Sequence, residues 1–234
     1  MMIKKLDCSN CMVRQYSCFK GLSEEDILIM NEDKVGTFYK KGQMIFHEGM
    51  FPNGIYCLKN GKVKISKIGI DGKEQIVRFV VPGGMLGIRA LVSGRQYMAT
   101  ASTLEDSVVC FIGKQTFFDI TTKYPEISQC VLKSLSKLLE EAEQRMTSLA
   151  QKPVRERLAE SLLVLDKIFK SEKCPVKKST ISLSREDLAN IVGTATETVI
   201  RLLSDLKEEN LIAIVGRKIV LINIEGLKKV ARYS

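Results

Sequence analysis

From Val35 to Ile112 the chain alternates apolar and polar residues in short runs. Val63-Lys64-Ile65-Ser66 and Gln75-Ile76-Val77-Arg78-Phe79 have the period of two that half-buried strands show. Turn signals separate the runs: Lys41-Gly42, Glu48-Gly49, Pro52-Asn53-Gly54, Asn60-Gly61, Asp71-Gly72 and Pro82-Gly83-Gly84. Asn-Gly and Asp-Gly favour tight hairpins, because both central residues need positive φ. Many such turns at regular spacing predict an antiparallel barrel or sandwich, not a parallel sheet. Upstream, the first twenty residues are dense in cysteine and basic residues without an apolar period, and read as loop-like. Ser23-Glu24-Glu25-Asp26 then opens a short helix, with Ser23 as N-cap and acids at the positive end.

From Pro125 to about Ala150 the period becomes helical. Leu132, Leu135, Leu139, Ala142, Met146 and Leu149 follow alternating steps of three and four, the a/d seam of a coiled coil. Lys133, Lys137, Glu140, Glu141 and Gln144 flank it as a solvated face, which predicts a dimer interface. Ile127, Val131 and Leu138 lie off the seam and can pack on the barrel. The alternative is a long helix buried against its own domain. Pro153 breaks the pattern and can open the next helix. Val154 to Phe169 is amphipathic, and the lysine-rich stretch Lys170 to Lys178 reads as a loop.

Ser184-Arg185-Glu186-Asp187 has capping-box spacing, and its helix carries Leu188, Ile191 and Val192 inward until Gly193 ends it. Thr194-Ala195-Thr196-Glu197 repeats that spacing ahead of Val199, Leu202, Leu203 and Leu206 at helical period. Two short helices joined by a glycine-containing turn predict a helix-turn-helix. The hairpin from Leu211 to Ile222, turning at Gly216-Arg217, fits a wing. In such a motif the first turns of the second helix enter the major groove. Thr196, Glu197, Thr198, Ile200 and Arg201 stand there. Arg201 can pair bidentately with guanine and Glu197 can accept from a cytosine amino group. The two are also four residues apart, so an intrahelical ion pair is the alternative. The divisions expected are a cysteine-containing segment 1–22, a β-barrel sensor 23–124, a dimerisation helix 125–152 and a winged helix-turn-helix domain 153–234.

Composition narrows the function. A chain of 234 residues with 45% hydrophobic and 27% charged residues is globular, not disordered. The net charge of +9 favours polyanionic partners. The start MMIKKLDCSN does not read as a signal peptide. The most apolar stretch, Ile76 to Leu91, is interrupted by Arg78, Pro82, glycines and Arg89, so no membrane span and no membrane partner are expected. A cytoplasmic location is expected. With His47 as the one histidine and no nucleophile–base or carboxylate pair to pick out, an enzyme is not expected. Seven cysteines in a reducing compartment point away from structural disulfides and towards metal or redox chemistry.

The segment Ile181 to Leu203, ISLSREDLANIVGTATETVIRLL, resembles the DNA-binding signature of the CRP/FNR family, and Lys40 to Gly49, KKGQMIFHEG, resembles the motif that opens its barrel. The likeness runs from about residue 8 to about residue 222. It implies an α+β chain: a cyclic-nucleotide-binding-type antiparallel β-barrel (jelly roll), a long dimerisation helix and a winged helix-turn-helix. It also implies a transcription regulator that binds a palindromic double-stranded DNA operator as a homodimer and works with RNA polymerase. Glu197 and Arg201 match the family's base-reading acid and arginine, which implies a TGA-like core in each half-site. Thr196 stands where cyclic-AMP-type members carry a further guanine-reading arginine, so a TTGA-type half-site is expected. Arg185 and Lys218 complete the expected DNA contacts, Lys218 on phosphate in the wing.

Members that bind cyclic AMP carry a Gly-Glu-Leu motif and an Arg-Ser pair. Here the corresponding residues are Gly87-Ile88-Arg89-Ala90-Leu91 and Tyr97-Met98, so cyclic AMP is not the expected ligand. Cys8, Cys11 and Cys18, in C-x2-C-x6-C spacing, with the distant Cys110, resemble the iron–sulfur members, whose commonest last gap is one residue shorter. Four thiolates are what a 4Fe–4S cluster takes, which implies sensing of oxygen or nitric oxide. Zinc on the same thiolates, no metal, or a small ligand or haem in the barrel remain open. Cys57, Cys130 and Cys174 read as structural residues in a strand, a helix and a loop.

Overall fold

The computed structural model describes residues 3, 4, 7–170 and 180–232. Its residues gather into two compact units, one up to Ile68 and from Val77 to Glu141, the other Gly69–Ile76 and from Ala142 onward. The chain runs β1 (Ile3–Lys4), a 3-10 helix (Met12–Tyr16), α1 (Glu24–Asp33), β2 (Val35–Tyr39), β3 (Met44–Phe46), β4 (Gly54–Asn60), β5 (Val63–Ile68), β6 (Glu74–Val80), β7 (Met85–Leu86), α2 (Ile88–Ser93), β8 (Thr100–Thr103), β9 (Ser107–Gly113), α3 (Lys114–Lys123) and α4 (Pro125–Gln151). There follow α5 (Val154–Phe169), α6 (Arg185–Val192), α7 (Thr196–Glu208), β10 (Ile212–Val215), β11 (Lys218–Leu221) and α8 (Ile224–Ala231).

In the first unit two sheets form the jelly roll, ordered β1-β2-β9-β4-β7 and β3-β8-β5-β6. The alternation of the strands sends Leu58, Val63, Ile65, Leu86, Ala101 and Val109 into one core cluster, where Phe46 stacks on Tyr97 at 3.9 Å. The turn at Asn60-Gly61 requires glycine twice over. Gly61 has φ +95°, and a Cβ there would stand 2.1 Å from the Ser107 hydroxyl. A second cluster joins Cys8, Phe19 and Leu22 of the N-terminal segment to α1, to Ile55 and Ile112 of the sheet, to α3, and to Ile127 and Val131 of α4. Ser23 caps α1, its side chain accepting from the Asp26 amide.

The segment expected to be loop-like thus contributes a short strand, paired antiparallel with β2, and a 3-10 turn. The helices α2, α3 and α8 carry no expectation from the sequence. α2 has 6 residues, too few to display a period, and α3 mixes Thr and Phe, which favour strands. The disulfide Cys18–Cys130 runs against the expectation drawn from a reducing compartment: it spans 112 residues and joins the N-terminal segment to α4. Cys174 and most of the lysine-rich loop lie outside the described residues.

In the second unit the apolar faces of α5 (Leu158, Leu162, Leu165), α6 (Leu188, Val192), α7 (Val199, Leu203, Leu206) and α8 (Leu227, Ala231) are buried, together with Ile212, Ile219 and Leu221 of the hairpin. Ile181 bridges to Ile219, adding a third strand position to that hairpin. Among the described residues no helix is long and apolar enough to cross a membrane.

Candidate functional site

The helix-turn-helix is assembled from local signals. Ser184 caps α6 by accepting from the Asp187 amide at 2.9 Å, while its hydroxyl donates to the Asp187 carboxylate. Gly193 ends α6 in the left-handed region at φ +71° and bonds back to the Ala189 carbonyl. The second capping box does not form: Ala195 is the N-cap of α7, and its side chain makes no capping hydrogen bond. The first amides of α7 therefore receive no acceptor from the N-cap side chain, an arrangement suited to an anion such as a phosphate.

Glu197, Ile200, Arg201 and Ser204 are exposed on α7, opposite the buried Val199, Leu203 and Leu206. Thr196 is half-buried at its first position. Among the described residues neither Glu197 nor Arg201 has an ion-pair partner, so the pair four residues apart is not made and both side chains face solvent. Lys218 is exposed at the hairpin tip, opposite Val215 in register. Arg185 is half-buried, with its Nη1 buried and lacking a hydrogen-bond partner. Burial pushes its guanidinium pKa down.

Arg157 was not legible as a functional residue. Its guanidinium donates from Nε to the Val192 carbonyl at 3.0 Å, from Nη1 to the Lys152 carbonyl at 2.9 Å and from Nη2 to the Gly193 carbonyl at 3.3 Å. A cation there satisfies carbonyls left open at the negative end of α6. It thereby holds the turn that aims α7.

On α4, Leu132, Leu139 and Met146 are each more than 60% exposed, Leu149 is 45% exposed, and Ala142 is exposed. Leu135 departs from this set, packing against the core of the first unit beside Val131.

The cysteines meet on the outer face of the five-stranded sheet. Cys110 on β9 stands directly opposite Cys57 on β4 in the antiparallel register. Cys8 is anchored through its amide to Asn31 of α1 at 2.9 Å, and the Cys11 amide closes a turn onto the Cys8 carbonyl. Cys8, Cys11, Cys57 and Cys110 are free thiols lining one cavity of about 40 Å³. Cys18 is not among its lining residues. The Lys34 ammonium, 5% exposed, lies 2.7 Å from the Cys8 sulfur, and Arg14 lines the same cavity with its Nε buried and unpartnered. Burial pushes the Cys57 thiol pKa up, and Cys110 and Cys8 add to this while Lys34 opposes it. Burial also raises Cys110.

These residues fit, in kind and number, a group bound by four thiolates. Such a group is a net anion, and an orphaned guanidinium nitrogen and a buried ammonium await a negative charge. The free volume holds only a few waters. Among the described residues no three His, Cys, Asp or Glu side chains converge on a point that holds a single ion. Where cyclic-AMP-type members place their acid, Ile88 is buried in the core, and Tyr97 is buried against Phe46.

A jelly roll of this kind followed by a long helix and a winged helix-turn-helix defines a class, that of DNA-binding transcription regulators with a sensor domain. Residues 37–124 match the cyclic nucleotide-binding domain and residues 156–230 the Crp-like helix-turn-helix domain. The chain belongs to the CRP/FNR family, whose members are transcription regulators and not enzymes. It is 26% identical over 223 residues to the Anaerobic regulatory protein of Haemophilus influenzae, covering 95% of this chain and 86% of the relative. It is 26% identical over 230 residues to the Fumarate and nitrate reduction regulatory protein of Escherichia coli, covering 98% and 92%. The solved structure of FixK2 from Bradyrhizobium japonicum superposes with a TM-score of 0.74 at 26% identity, covering 84% of this chain and 96% of that one. Helix-turn-helix regulators of this family bind DNA and act as dimers.

Proposed function

We propose that this regulator senses oxygen or nitric oxide through an iron–sulfur cluster held by its cysteines and binds a palindromic operator as a cytoplasmic homodimer. The observation that carries the sensing is the convergence of Cys8, Cys11 and Cys110 on one cavity that also presents Lys34 and Arg14. The names of the relatives, an anaerobic regulator and a fumarate and nitrate reduction regulator, support the same reading. The cluster supplies a group that dioxygen and nitric oxide take apart.

The chain's own residues pass the state on. Cys8 and Cys11 sit on a segment whose Phe19 and Leu22 pack in one cluster with Ile127 and Val131 of α4. Fixing or loosening that segment biases the packing of the dimerisation helix, so the dimer is the bistable element. The exposed Leu132, Leu139, Ala142, Met146 and Leu149 form the seam between protomers. Arg201 and Glu197 read bases, Ile200 and Thr196 line the groove, Arg185 and Lys218 hold phosphates, and RNA polymerase is the further partner.

The test is iron and acid-labile sulfide analysis of anaerobically purified protein, with its absorption spectrum and an operator titration before and after exposure to air. Iron and sulfide in matching amounts, bleaching in air and weaker binding afterwards are the expected results. Iron-free protein, or stoichiometric zinc, refutes the sensing while leaving the DNA-binding class intact.

A further inference from the structure

The resemblance implies Cys18 as the third N-terminal thiolate beside Cys8, Cys11 and the distant Cys110, but the structure turns Cys18 elsewhere. After Cys11 the chain enters the 3-10 helix Met12–Tyr16. Ser17 and Phe19 still line the cavity, while Cys18 between them faces α4. There its sulfur is joined to Cys130 and stands 3.9 Å from the Ser134 hydroxyl. Phe19 and Leu22, close by in the chain, pack in one cluster with Ile127 and Val131 of α4, and Cys18 packs against that cluster.

The place beside Cys8, Cys11 and Cys110 is taken by Cys57. Directly opposed residues on neighbouring antiparallel strands project to the same face of the sheet. Cys57 and Cys110 are such a pair, and both line the cavity that Cys8 and Cys11 line. The shared cavity is also where the buried Lys34 ammonium and the unpartnered Arg14 Nε lie. We propose that the metal centre of this chain is held by Cys8, Cys11, Cys57 and Cys110, with Cys18 outside it against Cys130. This rests on the reading that the cysteines bind iron and sulfide, and departs from it in the ligand set.

The experiment compares wild type, Cys57→Ser, Cys18→Ser and Cys110→Ser, purified anaerobically as full chains, for iron, sulfide and absorption. Cys57→Ser and Cys110→Ser should lose iron at least about tenfold, the lower end of what even an outer partner costs. Cys18→Ser should keep wild-type iron. Iron retained in Cys57→Ser and lost in Cys18→Ser overturns the assignment alone. Absence of iron from the wild type overturns the sensing as well. Since Cys57 lies within a strand, a second measurement uses unaltered protein. N-ethylmaleimide labelling, located by mass spectrometry before and after the iron is chelated, should show Cys57 protected only while iron is bound and Cys18 unchanged. Equal labelling of Cys57 in both states overturns the assignment.

Discussion

Replacing Arg157 with alanine should destabilise the DNA-binding unit without touching any base or phosphate. The side chain is half-buried and donates to three backbone carbonyls, two at 2.9–3.0 Å and one at 3.3 Å on its exposed side. A hydrogen bond from a charged donor contributes about 1.5–3 kcal/mol, and water recovers part of that once the side chain is gone. Discounting the exposed contact entirely and halving the other two leaves about 1.5–3 kcal/mol. The Val192 and Gly193 carbonyls lose their cation at the end of α6, so the turn into α7 loosens and operator affinity falls. The salt dependence of binding should not change, because no phosphate contact is lost. Urea unfolding followed by far-ultraviolet circular dichroism measures the first effect, and operator titrations at two salt concentrations the second. Arg157→Lys should recover less than half of the loss, since one ammonium cannot span three carbonyls. A destabilisation under about 0.5 kcal/mol, the range of ordinary surface changes, would refute the clamp. A flatter salt slope would instead make Arg157 a phosphate contact.

Other outcomes follow from the same geometry. Asp26 accepts from Lys123 at 2.9 Å and from Ser23 and Tyr124, and these partners, Tyr124 first, hold its carboxyl below the ordinary 3.8, at about 2. A depressed carboxyl adds stability above its unfolded value that is lost as pH falls to the folded one. Asp26→Asn should therefore flatten the acid unfolding curve between about pH 4 and pH 2 relative to wild type, and an unchanged curve there would refute the network. Leu139→Asp places a charge in the proposed seam at a cost of several kcal/mol and should sediment as monomer; a dimer would mean that the seam is misassigned. Arg201→Ala should cost about 1–3 kcal/mol per half-site and relax discrimination at the paired guanine. Lys218→Ala should weaken binding evenly and lower the salt slope by about one. Equal loss on matched and guanine-substituted operators would make Arg201 a backbone contact.

The helix-turn-helix was legible because its determinants are local. Ser184 caps within three residues, Gly193 supplies its own positive φ, and Leu188, Val199, Leu203 and Leu206 declare their buried face by period alone. The strands and their Asn60-Gly61 turn were legible for the same reason. Local rules failed where two signals competed within one residue: at α7 the Thr194–Glu197 spacing offered a cap that Ala195 took instead. The period along α4 marked an apolar stripe, but the packing of the first unit decided that Leu135 turns inward while Leu132 and Leu139 stay exposed. The surroundings of the cysteines were beyond the sequence altogether. That Cys57 faces Cys110 depends on the register of β4 with β9, and the partners Lys34–Cys8, Cys18–Cys130 and Arg157–Val192 stand 26, 112 and 35 residues apart. Spacing along a chain constrains which neighbours share a turn. Which distant side chains share a cavity is settled by strand register and helix packing, where a shift of one residue carries a thiol to the opposite face.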